Sequence, residues 1–131
     1  MEILKLLADR RSEALLIEME GRVDGNTAAY FGKFAAGEIG LDDAVVVLDA
    51  SKLVFISSAG LREFVVLAKR SAAAKSKVAL VGLQPSVRET FEISGLVSLF
   101  TVAGDYPAAV AKLSGGGGGL MKRIFGARSG Q

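Results

Sequence analysis

The chain has 131 residues, of which 50% are apolar and 23% charged, as expected of one globular domain. It contains no cysteine and no histidine, which excludes disulfides, thiolate chemistry, a Ser-His-Asp triad and the usual zinc sites. All fourteen acids lie at or before Asp105, whereas four of the sixteen bases follow residue 111. Residues 1–111 therefore carry fourteen acids and twelve bases, a net charge of −2. This part of the chain lacks the basic surface of a nucleic-acid-binding domain.

The first third of the chain predicts two strands and a helix. Residues 4–7 form a short apolar run, and residues 14–20 begin apolar and then alternate, as expected of a strand with one partly exposed face. Residues 21–27 contain glycine and capping residues and predict a turn. Asn26 or Thr27 is then expected to cap a helix that runs through Phe34 toward Ile39.

The middle of the chain contains the clearest strand. Residues 44–49 are a continuous β-branched and aliphatic run, which predicts a central strand buried on both faces. A loop is expected over residues 54–56. Two serines follow, and apolar residues then recur at helical spacing from residue 61 to residue 68.

The last third predicts two further strands and two further helices. Residues 77–82 form an apolar strand, and Pro85 suits the first turn of a helix that Gly95 ends. A short strand is expected over residues 99–102, and a final helix over residues 106–113. The alternation of strands and helices predicts a single-domain α/β sandwich whose mixed central sheet is largely covered by helices.

The sequence divides into a domain of residues 1–113 and a tail of residues 114–131. Five glycines at 115–119 form a linker, and a short basic and apolar segment follows. In this segment one short apolar face can form beside basic residues, suited to an acidic partner or an anionic membrane surface. The apolar residues are Leu120, Ile124 and Phe125, and the basic residues are Lys122, Arg123 and Arg128. A solvated terminus without a fixed structure is the alternative.

The segment 49–62 is the most informative part of the sequence. A strand ends in Asp49, and a loop leads to Ser57 and Ser58 at the start of a helix. The free N–H groups and the positive dipole end of a helix start stabilise a phosphate on a serine there. The alternative is that one of the two serines is only the N-cap of the helix.

Three segments, in this order, resemble the STAS-domain family of bacterial anti-sigma factor antagonists. The first is Gly21-Arg22-Val23-Asp24 followed by Asn26-Thr27-Ala28 at the head of a helix. The second is Asp49-Ala50-Ser51 with the segment 56–62, and the third is the segment 83–96, which ends in Ser94-Gly95-Leu96. The resemblance covers residues 1–113 and implies the STAS fold.

The resemblance implies a regulator that works by partner switching. The unphosphorylated chain would bind a serine kinase that is also an anti-sigma factor, the kinase would phosphorylate one serine with ATP, and the modified chain would be released. A serine phosphatase would reset it. The chain would then be a substrate and binding module rather than an enzyme, and a monomer when free. The resemblance implies no catalytic residue, cofactor, metal site or direct nucleic-acid contact in this chain.

The resemblance also assigns the site residues. Ser58 aligns with the phosphorylated serine of the family, while Ser57 replaces the aspartate that precedes it and remains the alternative site. The partner surface implied by the family layout consists of Asp24, Asn26, Thr27, Ser57, Ser58, Ala59, Gly60, Leu61 and Arg62. Asp24 lies on the neighbouring loop in that layout, where it would align a hydroxyl, repel a phosphate or serve only as a turn residue.

Parts of the sequence also bear on three other functions. A receiver domain would use Asp49 as its phosphorylated aspartate and Lys77 as its lysine. It would also need a pair of acids at the end of its first strand to bind Mg²⁺, whereas Asp42-Asp43 lie before the strand that begins at Val45. A STAS accessory subunit of a transport or lipid-trafficking complex would bind partners without phosphorylation. A nucleotide-binding enzyme is disfavoured because Leu120-Met121-Lys122 follows the glycines where a phosphate-binding loop needs Gly-Lys-Ser/Thr.

Two further expectations concern location and the aromatic residues. No apolar run is long enough to cross a membrane and no signal peptide is visible, so a cytoplasmic location is expected. Five phenylalanines have core-like spacing: Phe31, Phe34, Phe64, Phe91 and Phe100. Phe55, just before the serines, is expected in the core, with an exposed interface anchor as the alternative.

Overall fold

The computed structural model describes residues 3–40 and 42–114. In this part of the chain five strands form one sheet in the order β1-β2-β3-β4-β5. β1 and β2 are antiparallel because a short turn joins them, whereas each later neighbour is parallel and reached through helical segments. The strands are β1 (Lys5–Arg10), β2 (Leu15–Val23), β3 (Val45–Ile56), β4 (Lys77–Val81) and β5 (Thr101–Ala103).

Four α-helices connect or follow the parallel strands. They are α1 (Ala28–Glu38), α2 (Ser58–Ala73), α3 (Pro85–Ser94) and α4 (Tyr106–Ser114). Gly95 adopts φ +80°, a left-handed conformation that ends α3, and a short 3₁₀ turn follows over Leu96–Leu99. The predicted mixed α/β fold with a helix-covered central sheet is therefore confirmed.

The two faces of the sheet carry two separate apolar layers. On one face, strand residues such as Ile17 and Leu48 pack with α1, α2 and α3, where the Phe31 and Phe64 rings stack with centroids 4.7 Å apart and Phe91 meets Phe64 edge-on at 5.1 Å. On the other face, alternate strand residues pack with α4, the one helix on this face within residues 3–40 and 42–114. This layer contains Leu16, Val47, Ala79, Ala109 and Leu113. The central strands are buried on both sides, as their apolar runs predicted.

The aromatic core was predicted correctly except at two positions. Phe31, Phe64, Phe91 and Phe100 are buried. Phe34 is half-buried at the margin of the same layer. Phe55 is 39% exposed, so its expected place in the core is wrong.

Four predicted boundaries were also wrong. β1 continues through Arg10 where the first strand was expected to end at residue 7, since Arg10 still pairs with Leu15 of β2. β2 continues through Val23 where a turn was expected, since Gly21 pairs with Leu53 and keeps the strand going. β3 continues through Ile56 where a loop was expected, because the extended β2 gives it a pairing partner. The last strand begins at Thr101, and the preceding residues form the 3₁₀ turn. The predicted tail lies outside the described residues from position 115 onward.

Candidate functional site

The candidate site lies where the parallel strands β2 and β3 end side by side. Val23 and Ile56 are register partners, so the residues that follow them leave the sheet at the same edge. The backbone N–H of Ser57 donates to the carbonyl oxygen of Val23 at 2.9 Å. The pairing therefore places the loop that begins at Asp24 next to the start of α2.

Ser57 is the N-cap of α2. Its backbone is extended, and its side-chain oxygen accepts from the backbone N–H of Gly60 at 3.2 Å. Its carbonyl oxygen accepts from the N–H of Leu61 at 2.8 Å and so begins the helical hydrogen-bond pattern. The capping interpretation is therefore correct for the first of the two serines.

Ser58 occupies the first helical position and, unlike Ser57, does not cap the helix. Its side chain is exposed, whereas Ser57 is half-buried. None of the described residues forms a hydrogen bond with the Ser58 hydroxyl. This hydroxyl is open to solvent at the positive end of a 16-residue helix, where added negative charge is stabilised.

Gly60 brings the start of α2 unusually close to the end of β2. A Cβ atom on Gly60 would lie 2.8 Å from the carbonyl oxygen of Val23 and 2.9 Å from Cγ1 of Ile56. Only glycine permits this approach without displacement of the strand backbone. Since Gly60 is buried, it contributes to the site by positioning the helix rather than by presenting a surface.

The loop of residues 24–27 is closed by its own hydrogen bonds. The Asp24 carboxylate accepts from the N–H of Asn26 at 2.9 Å. The Thr27 hydroxyl donates to the carbonyl oxygen of Arg22 at 2.8 Å and accepts from the N–H of Asp24 at 2.9 Å. Thr27 is the N-cap residue of α1, as one of the two predicted alternatives, but its side chain makes no capping hydrogen bond.

An arginine links this loop to the exposed end of β3. Nε of Arg22 lies 3.5 Å from Oδ2 of Asp24, and the guanidinium lies 4.1 Å from the centroid of the Phe55 ring. The N–H of Asn26 lowers the pKa of Asp24, with smaller contributions from Arg22 and Thr27 against an opposing effect of burial. The Asp24 carboxylate is therefore held in its ionised form at neutral pH.

Two apolar side chains are exposed at this edge. For Phe55 an exposed interface anchor was the alternative expected from the sequence, whereas the exposure of Val54 was not predicted. Val54 and Phe55 are 38% and 39% exposed, while their neighbours Leu53 and Ile56 are buried. An unbroken run of four apolar residues contained no signal of which two would face solvent. The remaining predicted site residues lie on the first turns of α2, with Ala59 and Leu61 half-buried and Arg62 exposed.

Asp49 is remote from this edge. It lies within β3, paired with Glu18 and Val81, and its carboxylate accepts from the N–H of Ser51 at 2.9 Å. The expectation that the strand ends at Asp49 was therefore wrong. In the part of the chain that is described, no group of three or more acids is placed to bind a metal ion, and no helix is long and apolar enough to cross a membrane.

Comparison with known proteins identifies the family. The family model of the STAS domain matches residues 5–109. The chain belongs to the STAS domain family. A second comparison links this STAS domain to a Bordetella bronchiseptica protein named "Putative anti-sigma factor antagonist BtrV", with 37% identity over 108 residues that cover 82% of this chain and 93% of that protein.

Solved structures share the STAS fold. An anti-sigma factor antagonist from Mycobacterium paratuberculosis superimposes with a TM-score of 0.77 at 17% identity, over 86% of this chain and 95% of that one. The anti-sigma factor antagonist SpoIIAA in its unphosphorylated form superimposes with a TM-score of 0.69 at 17% identity, over 85% and 97% of the two chains. At this level of identity the agreement concerns the fold, and it places the chain among STAS structures along most of their length.

Proposed function

We propose that this STAS domain is an anti-sigma factor antagonist that acts by partner switching in the cytoplasm. In its unphosphorylated form it binds a serine kinase that is also an anti-sigma factor. Phosphorylation of Ser58 releases it, and a serine phosphatase restores the binding form. The chain serves as substrate and binding module, and the kinase supplies the catalytic groups and ATP.

The observation that carries this proposal is the exposed, unused hydroxyl of Ser58 at the first position of α2. A kinase must reach the hydroxyl oxygen that attacks the γ-phosphate of ATP, and Ser58 presents it to solvent. Ser57 is the poorer acceptor, because its oxygen is half-buried and occupied by the N–H of Gly60. Phosphorylation there would also disturb the cap of α2.

The effect of the phosphate is expected at the partner interface rather than on the fold. A phosphoserine adds about −1.5 to −2 charges, which a helix start accommodates. The same charge in a packed protein interface is costly, because it must be desolvated and is repelled by nearby acids. Ionised Asp24 on the adjoining loop adds negative charge to the edge where the partner would bind.

The surface around Ser58 suits a protein partner. Half-exposed Val54 and Phe55 lie at the end of β3, and Arg22 stacks on the Phe55 ring. Aromatic and arginine side chains are enriched at the centres of protein interfaces. Together with the loop of residues 24–27 and the first turns of α2, Arg22 and Phe55 make up the candidate partner surface at one edge of the sheet.

The names of the relatives support the general role. The Bordetella relative is named as an anti-sigma factor antagonist at 37% identity. The SpoIIAA structure is titled as the unphosphorylated form of such an antagonist. Modification at Ser58 and release from a kinase are the parts of the proposal that an experiment must establish.

The decisive experiment is site-resolved mass spectrometry after incubation with ATP and a panel of anti-sigma-type serine kinases. Wild type, Ser57→Ala and Ser58→Ala are compared. We expect one phosphate on wild type and Ser57→Ala and none on Ser58→Ala. Loss of the phosphate only in Ser57→Ala would move the site by one residue. No modification of wild type, together with tight binding to another partner, would favour a phosphorylation-independent accessory subunit of a transport or lipid-trafficking complex.

A binding measurement separates modification from release. Ser58→Ala is expected to bind the kinase as wild type does and to remain bound when ATP is added. Thermal unfolding of the purified phosphorylated form should match that of the unmodified protein. A large loss of stability on phosphorylation would show that the phosphate acts on the fold, contrary to the proposal.

A further inference from the structure

β1 is an edge strand whose outer side meets no other strand among the described residues. It pairs with β2 alone, over six consecutive residue pairs without a register shift. It contains no proline and no bulge, two of the devices by which proteins block an open edge. Its outer row of backbone donors and acceptors is therefore suited to pair with another strand.

The side chains of β1 divide between two faces. Leu6 and Ala8 are half-buried and pack against the core that α1, α2 and α3 cover. By strand alternation, Lys5, Leu7 and Asp9 point to the opposite face. Leu7 is 62% exposed. The open edge thus combines unpaired backbone with an exposed leucine between two opposite charges.

We propose that two copies of the chain pair through β1, antiparallel about a twofold axis at Leu7. In this register the two Leu7 side chains face each other, and Lys5 of each copy faces Asp9 of the other. On the other face, Leu6 lies opposite Ala8. The strand sequence is thus self-complementary in both charge and apolarity, as a twofold interface requires.

The neighbouring twofold registers lack this complementarity. An axis at Leu6 would place Lys5 opposite Leu7. An axis at Ala8 would place Lys5 opposite Arg11, a like-charge pair, and Leu7 opposite Asp9. Asp9 is already 2.9 Å from Nε of Arg11 in the same chain, but both groups are exposed and the carboxylate can accept from a second cation. The Leu7-centred register is therefore the one that the charges select.

The proposed dimer contact does not include Ser58. β2 lies between β1 and β3 in the sheet, and Ser58 begins α2, although Lys5 and Val54 line one depression at this end of the sheet. We therefore expect each copy to keep its modification site accessible. A six-residue strand gives a small interface, so we expect an association that depends on protein concentration. This proposal replaces the monomer expected from the sequence.

A disulfide experiment tests the twofold contact directly, because the chain contains no cysteine. Directly opposed residues of antiparallel strands have Cα atoms about 4.5–5.5 Å apart, within the range that a disulfide spans. Leu7→Cys should therefore form a covalent dimer on mild oxidation about tenfold faster than Ile93→Cys, a control on α3 that is 80% exposed. Equal rates for the two variants would overturn the proposal.

Charge exchange tests the register. Lys5→Asp opposes two acids in its own dimer and Asp9→Lys opposes two lysines, so each variant alone should associate about tenfold more weakly than wild type. Mixed together, the two variants pair aspartates with lysines at both contacts and should regain association in analytical ultracentrifugation. Arg88→Asp and Glu92→Lys, an exposed ion pair on α3, are the matched controls and should behave as wild type.

Three results would overturn the proposed dimer. One is a wild-type chain that stays monomeric at its highest soluble concentration. Another is a mixture of Lys5→Asp and Asp9→Lys that associates no better than either variant alone. The third is a dimer that neither substitution weakens, since it would show that the copies meet through another surface.

Discussion

The two loops that meet at the end of β2 and β3 use their polar side chains in opposite ways. In the loop of residues 24–27, the Asp24 carboxylate accepts from the backbone of the loop, and the Thr27 hydroxyl accepts from the N–H of Asp24 and donates to the carbonyl oxygen of Arg22 on β2. At the start of α2, Ser57 bonds to the backbone in the same manner, but Ser58 is exposed and its hydroxyl has no hydrogen-bond partner among the described residues. In the first loop Asp24 and Thr27 therefore act as scaffold, whereas at the start of α2 the capping serine and the proposed phosphorylation site are adjacent residues.

This comparison implies that stability and modification can be changed separately. Residues whose polar atoms are satisfied within the edge should affect folding when they are replaced. Ser58 should affect only modification and partner release. The substitutions below test this division, from the largest expected loss of stability to the smallest.

Gly60→Ala is expected to have the largest effect. The new Cβ would lie 2.8 Å from the carbonyl oxygen of Val23, so the helix start and the strand end must separate. We expect a loss of about 3 kcal/mol in the free energy of unfolding, measured by urea denaturation. Gly37→Ala in α1, where a Cβ meets open space, is the control and should gain up to about 1 kcal/mol. Wild-type stability in Gly60→Ala would show that α2 can be held farther from β2.

Thr27→Val should cost less but still act on the scaffold. The substitution keeps the shape and removes the oxygen that serves both the N–H of Asp24 and the carbonyl of Arg22. A loss of about 2 kcal/mol is expected in urea denaturation. Thr90→Val removes an exposed hydrogen bond within α3 and should stay within about 0.5 kcal/mol of wild type. Equal effects at the two threonines would contradict the scaffold role of the loop.

Comparing Ser57→Ala with Ser58→Ala tests which of the two serines stabilises the start of α2. Ser57→Ala removes the cap hydrogen bond to Gly60 and should lower the free energy of unfolding by about 1 kcal/mol. Ser58→Ala removes an exposed hydroxyl and should change it by less than about 0.5 kcal/mol. Thermal or urea unfolding of both proteins decides the matter. The reverse order of stabilities would mean that Ser58 is the cap and would weaken its case as the phosphorylation site.

Asp24→Asn probes the charge of the scaffold loop. Because the N–H of Asn26 lowers the pKa of Asp24 below its ordinary value of 3.8, the ionised carboxylate favours the folded state. That stabilisation is complete above the unfolded pKa and is lost as the pH falls through the lowered folded pKa. The difference in unfolding free energy between wild type and Asp24→Asn should therefore shrink as the pH falls from 7 to below the ordinary pKa of 3.8. A difference independent of pH would show that the carboxylate is not stabilised as an anion.

Most strands and helices could be predicted from the sequence because the patterns that indicate them lie within a few consecutive residues. The apolar run of residues 44–49 indicated a central strand, and Pro85 and Gly95 mark the start and end of α3 as predicted. The family motifs led to the same fold from different evidence. Pairing between distant strands is what the sequence did not contain: β3 continues to Ile56 only because β2 continues beside it.

The sequence indicated where the candidate site lies, but it did not show which of its side chains cap a helix and which are exposed. Two adjacent serines before a helix have the same local signal, and the hydrogen bond to Gly60 is what distinguishes the cap from its neighbour. Thr27 was a reasonable capping residue by type, yet the turn at Asp24 draws its hydroxyl toward the strand. Such choices depend on which backbone groups the fold leaves unpaired, and this follows from tertiary contacts.

The unequal lengths of β3 and β4 have a consequence for motion. β4 pairs with β3 only as far as Asp49, whereas β2 accompanies β3 to Ile56. The last part of β3 is therefore a two-stranded ribbon that extends beyond the body of the sheet. A ribbon with one strand partner twists more readily and opens at lower cost than a central strand. The backbone amides at the Ile56 end of β3 should therefore exchange with deuterium sooner than those near Val47 in the same strand.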